Sequence, residues 1–262
     1  MFADPDAFDL APALTHFAEH GYARLGRWAT DDTLAGLRER IDAIMLGTVP
    51  NADYFFQHDS TSGRYEDLAY GKGWIGPSLD YRKVEKLERD DRFAAWMRNR
   101  LFERIAHTLI EAHVTLYRAL LFGKSASGGT ELPWHQDGGV FWGLDREPFL
   151  QLWTALDDAP PDGGCLEFLP GSHHAGLATP DGGVVPPAHL LASQAEARAV
   201  AVPVVAGEVV MIHNHVWHRS RRNLTGRTRR AFTLCLLDGR TNCRRRKRAP
   251  RAFPLVFAAK TP

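Results

Sequence analysis

In LPWHQDGGVFWG, residues 132–143, an imidazole and a carboxylate stand two positions apart as His135 and Asp137. Side chains alternate faces along a strand, so both groups reach a common point if residues 132–138 are extended. A third donor is on offer in MIHNHVWHRS, which carries His213, His215 and His218. Two histidines and one carboxylate on one face of an octahedral ion leave three positions open, the arrangement by which non-haem Fe(II) oxygenases admit a cosubstrate and O2. In a chain with 12 histidines the HxD spacing is weak evidence taken alone. Its setting strengthens it: the GKSASGGTELP loop precedes the pair, glycines follow it, and the second histidine cluster leads into NLTGRTRRAF.

Such a site needs strands to present it. From residue 114 onward VTLYRALLFG, PFLQLWTAL, GCLEFLPG, AVAVPVV, GEVVMIH and RRAFTLCLLDG are short β-rich runs separated by Gly, Pro, Asp and Asn. Many short strands with turn punctuation predict a sandwich, jelly roll or barrel. The first 113 residues read as a helical buttress with one strand, YARLGRW. FDLAPALTHFAEHG is a short amphipathic helix ending at Gly21. TDDTLAGLRERIDAIMLG begins with Thr30 and Asp31, spaces Leu34, Leu37, Ile41 and Ile44 three or four apart, and stops at Gly47. Residues 90–113 repeat the helical pattern through Phe93, Trp96, Met97, Leu101, Ile105 and Leu109. No clean boundary interrupts the chain, so a single domain is expected, with a β-core over about 114–240. Residues 48–78, dense in aromatics, and 171–198 are excursions of lid or insertion type.

Composition narrows the partners. The 262 residues carry 32 Lys plus Arg against 31 Asp plus Glu, which leaves no global field for nucleic acid or an anionic membrane. Three cysteines without a CxxC indicate neither a disulfide framework nor a thiolate zinc site. The acidic N-terminal stretch is unlike a signal peptide, and no apolar run is long enough to span a bilayer, so a cytoplasmic protein acting on a small molecule is expected. CRRRKRAPR, residues 243–251, is basic at six of nine positions but has no interleaved aromatics for stacking on bases. It reads as a solvated tail.

Three motifs together, LPWHQDGG, LQLWTALDDAPPDGGCLEFLPGSH and AGEVVMIHNHVWHRSRRNLTGRTRRAF, resemble the phytanoyl-CoA dioxygenase family of Fe(II)/2-oxoglutarate-dependent oxygenases. The resemblance covers most of residues 114–238 and, more loosely, DYRKVEKLERDDRF. It implies a double-stranded β-helix (a cupin-like jelly roll) with flanking helices. It also implies Fe(II), 2-oxoglutarate as cosubstrate and O2. By position, His135, Asp137 and His218 match the iron ligands, and Arg229 matches the arginine on the distal carboxylate of 2-oxoglutarate. A guanidinium suits that task, since it gives two parallel hydrogen bonds and stays charged. Ser220 would share that carboxylate, Trp153 and Gln151 would line the cosubstrate pocket, and Lys83, through a looser match, would be a further contact.

Other residues carry weaker expectations. Trp134, Phe141 and Trp142 flank the HxD pair and are either core or substrate walls, while Tyr54 and Phe55 belong to the aromatic lid. Arg229 and Arg230 are adjacent, so on a strand only one can face inward. His173 and His174 are expected to shape a loop. Two rival readings share the barrel: a cupin-like metalloenzyme that needs no 2-oxoglutarate, and a non-catalytic binding protein. Oligomeric state is not legible in the sequence.

Overall fold

The computed structural model describes residues 4–70, 72–245 and 249–260; Arg246, Lys247 and Arg248 of the basic run lie outside them. Helix α1 (Ala11–His20) ends where Gly21 takes a left-handed φ of 82° and closes its N–H onto Phe17. Strand β1 (Tyr22–Arg27) follows, then α2 (Asp31–Leu46). The Thr30 side chain accepts from the Thr33 N–H at the start of α2, and Gly47 ends it. The predicted helical stretch from residue 90 is two helices, α3 (Asp91–Met97) and α4 (Arg100–Leu109). Asn99 divides them: its backbone is extended, and its side chain accepts from the Phe102 N–H and donates to the Trp96 carbonyl. The apolar periodicity carries across this break because both helices bury against the same core.

The remaining strands are β2 (Phe55–His58), β3 (Tyr81–Glu85), β4 (Val114–Lys124), β5 (Leu132–Gln136), β6 (Leu150–Ala155), β7 (Leu166–Leu169), β8 (Gly183–Val184), β9 (Val200–Val202), β10 (Glu208–Ile212), β11 (Trp217–Ser220), β12 (Arg229–Asp238) and β13 (Leu255–Phe257). Among the described residues they form two antiparallel sheets. The larger runs β1-β10-β6-β12-β4-β3-β2, with β13 also on β4, and the smaller runs β8-β5-β11-β7-β9. Two facing antiparallel sheets with helices on one side are the double-stranded β-helix expected from the sequence.

Two expectations need correction. The expected strand YARLGRW is β1, but the N-terminal buttress has two more, because β2 and β3 also precede residue 114 and join the larger sheet. The 48–78 excursion contains β2, and the 171–198 excursion supplies β8 to the edge of the smaller sheet, followed by α5 (Pro187–Ala192) and α6 (Ala195–Arg198). These strands are too short for a period-two pattern to show.

Alternation sorts the larger sheet into two chemistries. Its outer face sends Ala119, Leu121, Leu150, Leu152, Val209, Met211, Phe232, Leu234 and Leu236 into one core with α2, α3 and α4. Its inner face sends Arg118, Phe122, Lys124, Gln151, Trp153, Arg229 and Thr233 toward the smaller sheet. There all but Arg118 line a cavity together with His135, Asp137, His218 and Ser220. No helix among the described residues is long and apolar enough to cross a membrane.

Candidate active site

The two histidines meet through strand pairing. His135 on β5 lies directly across from His218 on β11, and their rings are 4.0 Å apart. Each ring fixes its orientation through the backbone two residues earlier: His135 Nδ1 is 2.9 Å from the Pro133 carbonyl, and His218 Nδ1 is 3.0 Å from the Val216 carbonyl. With Nδ1–H donating to those carbonyls, Nε2 of each ring carries a free lone pair, the tautomer a metal ligand needs. Burial, reinforced by the neighbouring His218, pushes His135 down to about 3. Burial also lowers His218, so both rings are neutral at pH 7.

Asp137 follows the end of β5, anchored by its N–H to the Asn214 carbonyl at 2.8 Å. Its Oδ2 lies 3.8 Å from His218 Nε2, and ligand atoms of His135, Asp137 and His218 all fall within 4.8 Å of one another. The carboxylate is held on both oxygens, with Arg118 Nη2 donating to Oδ1 at 3.0 Å and Gln151 Nε2 to Oδ2 at 2.8 Å. Burial opposes its ionisation, but the Arg118 guanidinium and the two histidines hold it well below the usual carboxylate range. Past the pair, Gly139 turns the chain at φ 86°. A Cβ there would sit 2.4 Å from the Asp181 backbone, so the turn that frees Asp137 from the strand requires glycine.

The far end of the cavity carries positive charge. Arg229 on β12 faces Lys124 on β4 as its direct cross-strand partner, and both are almost fully buried. Lys124 donates to the Thr130 carbonyl at 2.6 Å and the Ser220 carbonyl at 3.3 Å, and Arg229 donates to the Gly164 carbonyl at 2.5 Å. No carboxylate among the described residues pairs with either cation, and Arg229 Nε has no hydrogen-bond partner. Burial lowers Arg229 to about 10 and, with Arg229 beside it, depresses Lys124 strongly. Like charges facing each other in a dry site are costly unless an anion completes them. The orphaned Nε and the paired cations therefore fit a carboxylate, and three converging ligand atoms fit a divalent metal.

The structure sorts the remaining sequence-predicted residues. Ser220 and Trp153 line the cavity near Arg229, and Gln151 lines it while serving Asp137. Arg230 turns to the opposite face of β12 and pairs with Asp157 and Asp42. Lys83 does not line the cavity; its ammonium pairs with Glu85. The neighbouring Arg82 lines it instead, because a bulge leaves Arg82 as the extra residue between the pairs Gln57–Lys83 and His58–Tyr81.

Trp134 is not a substrate wall. It alternates away from His135 into a cluster behind the smaller sheet with Leu169, Val185, Ala195 and Trp217. There its indole donates to Glu196 and carries the Arg219 guanidinium over its ring. Tyr54 packs on the helical core, Phe55 is part-exposed, and Phe141 is 75% exposed. Trp142 stacks on Tyr117 with centroids 4.3 Å apart and holds the Arg118 guanidinium 4.5 Å above its ring, so it braces the group that grips Asp137. His173 and His174 do shape a loop, their rings reaching the Ala18 and Glu19 carbonyls at the end of α1.

Sequence reasoning missed Arg118, Lys124 and Arg82. Arg118 had a signal, since a charged residue at an inward position of an apolar strand must meet a partner or a ligand, whereas Lys124 was read as part of a loop. Arg82 had none, because the bulge is invisible in the sequence.

With this geometry in hand, the comparisons with known proteins are informative. Residues 17–231 match the family described as Phytanoyl-CoA dioxygenase (PhyH). A Bos taurus protein named phytanoyl-CoA dioxygenase domain-containing protein 1 is 33% identical, the match covering 87% of this chain and 90% of that one. Among solved structures, EctD from S. alaskensis, determined with 2-oxoglutarate and 5-hydroxyectoine, superposes with a TM-score of 0.74. It is 19% identical, over 99% of this chain and 89% of its own. SnoK, described as a non-heme alpha ketoglutarate dependent carbocyclase from nogalamycin biosynthesis, gives 0.70 at 19% identity, over 93% and 89%.

Proposed function

Since the chain belongs to the phytanoyl-CoA dioxygenase family, and is on that account an Fe(II)/2-oxoglutarate-dependent dioxygenase, we propose that it oxidises a C–H bond of a polar small molecule in the tailoring of a natural product, by hydroxylation or oxidative ring closure. The observation that carries this reading is the pairing of a cluster of two neutral histidines and one ionised aspartate with a buried, uncompensated cation pair in one cavity. His135, Asp137 and His218 hold the metal, and Arg229 with Ser220 and Lys124 holds the distal carboxylate of the keto-diacid. Bound there, ferrous iron, 2-oxoglutarate and O2 supply the oxidant, with 2-oxoglutarate released as succinate and CO2.

The chain's own residues do the rest. The Nδ1–H bonds of both histidines to backbone carbonyls keep Nε2 aimed at the metal. Arg118 and Gln151 each occupy one lone pair of an Asp137 oxygen, which restrains the carboxylate from swinging. Trp153, Phe122, Leu166 and Ile212 wall the cosubstrate space with hydrocarbon and exclude water from it.

The aromatic and polar lid over residues 48–78 supports a substrate that both stacks and hydrogen-bonds, such as a glycosylated or cyclitol-containing scaffold. SnoK's description as a carbocyclase of nogalamycin biosynthesis supports keeping ring closure beside hydroxylation. Anaerobic reconstitution with Fe(II), followed by O2 and 2-oxoglutarate, tests the reading. Succinate is expected to form, and to form faster when a glycosylated polycyclic metabolite is added. Succinate at background throughout would favour a metalloenzyme that needs no 2-oxoglutarate, or a binding protein. Soaks that place a ligand against purely apolar walls would remove the sugar.

A further inference from the structure

A second polar group lies on β2 and β3, across β4 from Arg229. Arg82 is 7% exposed and lines the cavity, yet its one hydrogen bond goes to a neutral group, the Gln57 Oε1 at 2.8 Å. No carboxylate among the described residues lies within ion-pair distance of it; Asp59 interacts with it only as a more distant charge. Gln57 is 5% exposed, and because its oxygen faces Arg82 its Nε2 must be a donor, which has no partner. Gln57 therefore presents an unsatisfied buried N–H beside a buried guanidinium whose one hydrogen-bond partner is neutral, and a donor left unmet in a dry site is costly until a ligand meets it.

Strand order separates this pair from the Arg229 end: Arg82 reaches the cavity from β3 and Arg229 from β12, on opposite sides of β4. Lys83, part of the same β2–β4 floor, is already neutralised by Glu85, and Arg118 by Asp137. Arg82, like Lys124 at the end of β4, is left without a counter-charge among the described residues. Its charge also reaches Lys124, so the experiment must distinguish it from the cosubstrate cradle.

We propose that Arg82 and Gln57 form a second oxyanion subsite, on the β2–β3 side of the cavity, that recognises a carboxylate or phosphate group of the molecule to be oxidised. This rests on the dioxygenase reading above and adds a substrate class to it. The anion anchors one end of the substrate on β2 and β3 and leaves its reacting carbon toward the metal, while a wholly neutral substrate leaves the guanidinium without a counter-charge. A planar guanidinium beside an amide gives convergent donors suited to two oxygens of one group.

The test measures binding. The enzyme is loaded with metal and saturated with N-oxalylglycine, which fills the cosubstrate position. It is then titrated calorimetrically with acetate in one arm and methyl phosphate in the other. Saturable binding of at least one probe is expected, weakened tenfold or more in Arg82→Met and partly restored in Arg82→Lys, with N-oxalylglycine affinity changed less than about threefold. Arg229→Met should give the reverse pattern. The arm that binds tighter distinguishes carboxylate from phosphate. Absence of saturable binding in the wild type, or equal binding in Arg82→Met, overturns the subsite. So does a loss of N-oxalylglycine affinity in Arg82→Met as large as in Arg229→Met, which would assign Arg82 to the cosubstrate. Titrating both probes into Arg229→Met without N-oxalylglycine keeps the Arg82 result readable even if the cosubstrate reading fails.

Discussion

Two buried arginines on the inner face of the same sheet live under opposite conditions. Arg118 is matched: it donates to Asp137, lies over Trp142, and is a charge the fold has neutralised for itself. Both leave Nε without a partner, but Arg229 is unmatched in charge, with a lysine as its cross-strand neighbour and one carbonyl as its partner. A paired buried charge holds the structure together, whereas an unpaired one is kept at a cost to stability and marks where a ligand brings the missing charge. The difference separates a support from a receptor without reference to any relative.

Substitutions can break or sharpen that contrast. The largest effect is expected at the metal: Asp137→Ala removes the charged ligand and should lower succinate formation by roughly a thousandfold or more, with Fe(II) affinity measured in parallel. Full activity in that variant would overturn the ligand assignment. Arg229→Met should raise the KM for 2-oxoglutarate by about a hundredfold, as expected for losing a charge-assisted pair. Its thermal midpoint should hold or rise, because an uncompensated buried cation has been removed. Arg118→Met should do the opposite, destabilising the metal-free protein by about 3 kcal/mol in chemical denaturation by leaving Asp137 buried with only Gln151, and recovering when a divalent metal is added. Equal stability changes in the two variants would erase the distinction.

Acid supplies a smaller effect. Burial, followed by the nearby His173, His215 and His174, pushes His213 down to about 3, below its ordinary value of 6.5. Its neutral form is therefore favoured by folding. That contribution is complete above about pH 6.5 and is lost as pH falls toward 3, amounting to about 1–2 kcal/mol by pH 5. Denaturation midpoints across that window should fall, and less steeply in His213→Asn. The smallest effect is expected at Trp134→Phe, which faces away from the cavity and should leave kcat within about threefold while costing some stability through the lost Glu196 bond.

How much of this was legible in the chain follows from what each signal encodes. The strands from residue 114 and the His135–Asp137 pair were readable because alternation and turn residues are local, and the HxD spacing is itself a strand property. The placement of His218 and Arg229 rested on resemblance, since nothing local selects one histidine of three. The errors were geometric. Trp134 adjoins the ligand in sequence, yet one step along a strand reverses the face. Lys83 was displaced by Arg82 through a bulge, and the division at Asn99 was hidden by an apolar pattern that both helices share. Lys124 lay in a segment read as loop, although it closes the strand that begins at Val114.

The direct opposition of His135 and His218 across two neighbouring strands ties chemistry to alignment. Sliding β5 by one residue would set Trp134 or Gln136 in the ligand's place and withdraw His135 at a stroke, so no intermediate alignment presents two imidazoles. Ligation by two imidazoles therefore depends on the register of a single strand pair.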